Sequence, residues 1–230
     1  MSVEERLSPE QAEALLRRQA ALQAEARRVV AELDLFGVLR SAGEPQQIGS
    51  SVTGLMVWRD LDFNVVAPGC SVADAVVTLQ PLLCHPRVTQ VRYLNEGGAF
   101  NATGLPRDER YYFAVYYRSK LQAPEANQSD AGAEWKIDIS LWLRDVPREE
   151  PAQVAAALAR RLTDETRLAI LWIKTAWYQL PTYRREVSSM DIYDAVLEHR
   201  VRTPAAFDAY LRARGKPGRY HIESLNLPPR

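Results

Sequence analysis

Gly49-Ser50-Ser51-Val52-Thr53-Gly54-Leu55-Met56-Val57-Trp58-Arg59-Asp60-Leu61-Asp62-Phe63 is the stretch whose reading decides the fold. It opens on a small, flexible Gly-Ser corner and closes on two aspartates separated by one leucine. The residues from Leu61 to Ala67 are rich in β-branched and aromatic side chains, the composition of a strand. Residues i and i+2 of a strand face the same side, so Asp60 and Asp62 project together and Leu61 and Phe63 turn to the other face. Neighbouring carboxylates repel one another unless a cation lies between them. Mg²⁺ suits such a pair, because it takes carboxylate oxygens and keeps positions open for phosphate.

Working outward, Pro45 to Ser50 reads as a short strand that stops at the corner. Gly49 permits a close backbone approach to a ligand. A helical turn starting near Ser51 would aim its amide groups at the corner and favour a phosphate there. Further along, Trp135-Lys136-Ile137-Asp138-Ile139-Ser140-Leu141-Trp142-Leu143 is a third strand-like run. Its alternation sets Lys136, Asp138, Ser140 and Trp142 on an accessible face and Trp135, Ile137, Ile139, Leu141 and Leu143 on a core face. The aromatic run from Tyr112 to Arg118 is its expected antiparallel neighbour.

Ile48-Gly49-Ser50, then Asp60-Leu61-Asp62, then Asp138 on a later strand resembles the signature of the nucleotidyltransferase superfamily of the DNA polymerase β type. The resemblance covers roughly residues 45–143. It implies an α+β fold, with a mixed β-sheet flanked by helices and followed by a C-terminal helical bundle. The corresponding division is a catalytic domain over residues 1–146 and a helical domain over 147–230. It also implies two Mg²⁺ ions held by Asp60, Asp62 and Asp138, the first also gripping the β- and γ-phosphates of an NTP. Asp138 is the implied acceptor of the proton from the attacking hydroxyl. Gly49 and Ser50 are the implied triphosphate-holding residues. Lys174, which belongs to no local motif, fits the basic residue that the helical half brings to the terminal phosphates. The implied reaction transfers an NMP, AMP being the expected one from ATP, to a hydroxyl of a small molecule or protein and releases pyrophosphate. The layout is similar to that of the small-molecule and antibiotic nucleotidyltransferases. The run from Gly49 to Leu55 is a partial echo of the GrpB-like branch.

Each candidate has a plainer reading beside it. Asp60 and Asp62 taken alone are solvated acids of a surface strand, and Asp138 alone is an edge acid paired with Lys136. The conjunction of all three with Gly49-Ser50 argues against those readings. Arg59 reads as a surface arginine in preference to a neighbour of the site, and Lys174 as either a site residue or a lysine snorkelling at a domain edge. His85, His199 and His221 lack metal-ligand spacing. Trp172 and Trp177 read as core.

Composition bounds these readings. A chain of 230 residues is long enough to bury a substantial core. Twenty-nine basic residues balance 29 acidic ones, which gives no support to a nucleic-acid-coating protein. Cys70 and Cys84 are the only cysteines, which fits a reducing compartment. The N-terminus lacks an apolar signal core, so the expected location is the cytoplasm, with no membrane partner. A second reading places the same fold in a non-catalytic nucleotide-binding or antitoxin-type interaction module; an intact acid triad favours the enzyme.

Elsewhere the chain reads as helices joined by punctuated loops. Residues 8–40 read as one long helix, with Ser8 as N-cap, Pro9 at its first position, Gln11 closing a capping box and Gly37 or Gly43 ending it. Ser71 opens a second helix. Residues 122–132 read as a polar loop. Pro151 to Leu162, Thr163 or Asp164 to Leu180, Met190 to Arg200, and a helix from Thr203-Pro204 to Gly215 make up the helical half. A Pro-bearing tail follows Lys216.

Overall fold

The structure, a computed structural model, describes residues 5–119, 134–145 and 151–219. The 122–132 loop, His221 and the tail prolines Pro228 and Pro229 lie outside the described residues. The chain divides into two compact units, one of Ala21–Ala159 and one of Met1–Ala20 with Arg160–Arg230.

The larger unit is built on a five-stranded sheet. Its strands are β1 (Pro45–Ile48), β2 (Asp60–Val66), β3 (Val88–Glu96), β4 (Arg110–Arg118) and β5 (Glu134–Trp142), in the spatial order β1-β2-β5-β4-β3. β2 and β5 run parallel and every other pair is antiparallel, so the sheet is mixed. The alternation read from the sequence is kept. Leu61, Phe63, Ile137, Ile139, Phe113 and Val115 are all buried on one face. Against that face pack residues of α1 (Pro9–Glu32), α2 (Leu35–Leu39) and α4 (Val72–Leu83), among them Ala26, Val29, Leu35, Leu39, Ala75 and Leu79. The opposite face carries Asp60, Asp62, Lys136 and Asp138.

The first helix forms as expected at its start and not at its end. Ser8 and Gln11 close the capping box, with the Ser8 amide donating to Gln11 Oε1 at 2.9 Å and the Gln11 amide donating to Ser8 Oγ at 3.2 Å. The helix then breaks at Asp34, which sits in the left-handed region at φ 44°. Its carboxylate accepts from the Gly37 amide at 3.3 Å and so caps a separate short helix, α2. Gly37 therefore lies inside a helix instead of ending one. A Cβ there would lie 2.1 Å from Asp34 Oδ2.

Between β1 and β2 the short helix α3 (Ser50–Thr53) turns the chain, with Gly49 at its N-cap and left-handed Gly54 after it. The N-terminus of α4 has its own capping box, in which Ser71 and Asp74 satisfy each other's amides. α5 (Pro151–Arg161) follows the sheet.

In the smaller unit α6 (Asp164–Trp177), α7 (Ser189–Leu197) and α8 (Pro204–Arg212) are capped by Thr163, Ser188 and Thr203. They share a core that includes Ile170, Ile173, Ile192 and Leu211. Trp177 meets the Phe207 ring edge-on at 5.5 Å. The N-terminal segment belongs to this unit through specific contacts. Glu5 accepts from the Ala205 amide at 2.8 Å, and Arg18 stacks over the Tyr178 ring at 5.8 Å. Among the described residues no helix is long and apolar enough to cross a membrane.

Candidate active site

β2 and β5 bring the acids together because they are parallel and in register. Asp62 lies directly beside Asp138, and Asp60 lies beside Lys136. Carboxylate oxygens of Asp60, Asp62 and Asp138 all lie within 4.8 Å of one another. Asp60 is buried, at 6% exposure, while Asp62 and Asp138 are half-buried. Three acids this close repel strongly wherever water is partly excluded. Their donor set is all carboxylate oxygen, the chemistry that suits Mg²⁺ or another hard divalent ion.

The Gly-Ser corner faces this cluster. β1 pairs with β2 so that Ile48 lies beside Asp62, and the chain leaves the strand through Gly49. Gly49 has φ 75° and ψ −157°, a conformation open to glycine and costly for any other residue. A Cβ on it would sit 2.4 Å from Asp62 Oδ2. Glycine is thus required twice at this position, by the backbone and by the carboxylate packed against it. As the N-cap of α3, Gly49 brings no side chain to the first amides of that helix.

The two serines of the corner differ in their surroundings. Ser50 is half-buried. Ser51 is buried and structural: it accepts from Gln47 Nε2 at 2.9 Å, donates to the Ile48 carbonyl at 3.2 Å, and its own carbonyl accepts from Gln23.

Asp138 is engaged on both oxygens. Tyr112 on β4 donates its hydroxyl to Oδ1 at 2.8 Å, and the Lys136 ammonium donates to Oδ2. Burial, then the Asp138 carboxylate and the nearby Asp60 charge, push the Tyr112 phenol far above its ordinary value. Tyr112 therefore stays a neutral donor across the neutral range. Next along the same face, Arg110 donates to Ser140 Oγ at 3.1 Å and pairs with Glu96. Its guanidinium packs over the Tyr112 and Trp142 rings at 5.1 and 5.2 Å.

Arg59 takes neither role considered for it in the sequence. It forms an ion pair with Glu25 of α1, its Nε lying 3.2 Å from both carboxylate oxygens. Trp135 Nε1 donates to the same carboxylate at 2.9 Å. Glu25 is only 4% exposed, so these three residues pin the start of β2 and of β5 to the helix behind the sheet.

Lys174 lies on α6, in the other compact unit, and is fully buried. A snorkelling lysine would hold its ammonium in water, so that reading is excluded. Its Nζ lies 6.0 Å from the centroid of the Tyr193 ring.

Tyr112 and Glu25 were not singled out in the sequence. Tyr112 belongs to a strand correctly expected beside β5, but its register against Asp138 has no local signal. Glu25 looks like any other acid on a charged helix.

No protein-family model matches the chain, and no curated protein is found similar to it. Solved structures are. The Cid1 poly(U) polymerase, as a mutant bound to MgATP, matches with a TM-score of 0.53 and 16% identity, over 83% of this chain and 56% of that one. A cytoplasmic RNA terminal U-transferase matches with a TM-score of 0.44 and 14% identity, over 84% of this chain and 47% of that one. CdnC of E. coli MS115-1, in complex with HORMA-deltaN, matches at 0.42 and 14%, over 90% and 66%. The chain spans about half the length of the first two. The match to the poly(U) polymerase establishes the fold: the chain has the α+β nucleotidyltransferase fold, with an acid triad on its sheet.

Proposed function

We propose that the protein is a metal-dependent nucleotidyltransferase that moves an NMP from an NTP to a hydroxyl and releases pyrophosphate. The observation that carries this reading is the convergence of Asp60, Asp62 and Asp138 within 4.8 Å, on one face of a sheet of this fold. The triad would hold two Mg²⁺ ions, which when bound neutralise charge on the phosphates and activate the attacking hydroxyl.

The remaining steps belong to the chain. Gly49 leaves room for the triphosphate beside Asp62, because any side chain there would collide with that carboxylate. Ser50 and the amides at the start of α3 offer hydrogen-bond donors to phosphate oxygens. Asp138 is the base that receives the proton of the acceptor hydroxyl. Tyr112 holds its Oδ1 and so fixes the carboxylate's orientation. Lys174 is the basic residue assigned to the terminal phosphates. ATP is the proposed donor; the similar polymerase is described with UTP selectivity and, as a mutant, bound to MgATP, so each NTP is a candidate to be tested. The proposed acceptor is a small molecule or a protein side chain, and the proposed location is the cytoplasm. The domain division at 146/147 is part of the same proposal.

The test is pyrophosphate release. The wild-type protein is incubated with each NTP, Mg²⁺ and, in parallel, aminoglycosides, protein extracts and short RNA, RNA being included because the similar structure is a poly(U) polymerase. Release with wild type and none with Asp62→Asn supports the reading. Equal release by both, or none from any NTP and acceptor, overturns it.

A further inference from the structure

Lys136 stands two residues before Asp138 on the same strand face, and its position is set by the sheet. Its register partners are Asp60 on β2 and Tyr116 on β4, so it lies beside one acid of the triad and reaches a second. Its ammonium meets Asp138 Oδ2, while Tyr112 occupies Oδ1. The side chains of this pair are 23% and 19% exposed, more shielded than a surface ion pair and more hydrated than a core one. At this depth a unit charge acts on all three carboxylates.

We propose that Lys136 is a built-in counter-ion of the acid cluster, which a divalent cation must displace from Asp138 in order to bind. The inference rests on the triad being a metal site. In the absence of metal the ammonium relieves the repulsion among the acids and keeps Asp138 turned toward Asp60 and Asp62. When metal enters, the same oxygen exchanges one cation for another, and Tyr112 keeps the carboxylate in place during the exchange. Lys136 therefore lowers the affinity for free metal and reserves tight binding for metal that arrives with additional ligands.

This predicts a sign opposite to that of a residue that only orients Asp138. An orienting lysine strengthens metal binding, and its loss weakens it. A competing lysine weakens metal binding, and its loss strengthens it.

The experiment is a Mn²⁺ titration of the full chain without nucleotide, read by the free-ion electron paramagnetic resonance signal. Lys136→Met should bind Mn²⁺ about three- to tenfold more tightly than wild type. Lys136→Arg, which keeps the charge, should stay within about twofold of wild type on the same argument. Tyr112→Phe, which removes orientation and no charge, should bind more weakly. Thermal unfolding without metal should show Lys136→Met less stable than wild type, and added Mn²⁺ should narrow the gap. Lys136→Gln serves in place of the Met variant if that variant does not fold.

Unchanged or weakened Mn²⁺ binding by the neutral variant, with wild type binding normally, overturns the counter-ion role and leaves the metal site standing. Failure of wild type itself to bind millimolar Mn²⁺ overturns both.

Discussion

The two sides of the sheet hold acids in opposite circumstances. On the core side, Glu25 is one carboxylate held by the Arg59 guanidinium and the Trp135 indole. On the other side, Asp60, Asp62 and Asp138 are three carboxylates brought within 4.8 Å, with Lys136 reaching one of them. Both clusters touch the same two strands: Arg59 immediately precedes Asp60, and Trp135 immediately precedes Lys136. A buried carboxylate held by a cation and an N–H stabilises the arrangement it belongs to. Several carboxylates crowded together raise the energy of the folded chain, which a bound cation then recovers. The first cluster is architecture and the second is the proposed site, and the first helps to position the strands that carry the second.

Four substitutions test this contrast, in order of falling effect. Asp62→Asn removes one charge from the crowded cluster. Transfer should fall by more than about a thousandfold, with an unchanged circular dichroism spectrum. A variant that lost its fold instead would place Asp62 among the structural acids. Glu25→Ala leaves the Arg59 guanidinium without its carboxylate in a half-buried position. The protein should lose about 3 kcal/mol of stability in urea unfolding. A loss near zero would show that the core-side cluster does not anchor the strands.

Gly49→Ala forces a side chain onto Asp62 in a glycine-only backbone conformation. It should cost about 1–3 kcal/mol of stability. Mn²⁺ binding should weaken by about tenfold, because relief of the clash moves the carboxylate. Preserved affinity at lowered stability would confine Gly49 to the backbone turn. Tyr112→Phe, the mildest, deletes one hydrogen bond to Asp138. A drop of about fivefold in transfer rate is expected, with stability altered by about 1 kcal/mol or less.

Much of this was legible locally. Period-two alternation assigned Leu61, Phe63, Ile137 and Ile139 to the core and the acids to the other face, because burial selects one side of a strand. Side chains that satisfy helix amides gave Ser8 and Ser71 as caps, Thr163 or Asp164 as the next, of which Thr163 is the one used, and Thr203 at a helix start. The break at Asp34 was not legible. Nothing in the Leu33-Asp34-Leu35 sequence forbids a continuing helix; the break follows from a left-handed aspartate capping the Gly37 amide. Arg59 was misread for a similar reason, since its partner Glu25 lies 34 residues away.

The sequence by itself determined which residues of β2 and β5 face which side, where most of the helices begin, and that two acids of the candidate site share a face. Those are consequences of the pleat and of amide groups near in sequence. Only the tertiary structure decided that β2 and β5 run parallel with Asp62 beside Asp138. It alone decided that Tyr112 and Lys136 divide the oxygens of Asp138, and that Lys174 is fully buried. Strand order and register minimise the energy of the whole sheet on its core, and no short segment holds enough of that energy to specify them.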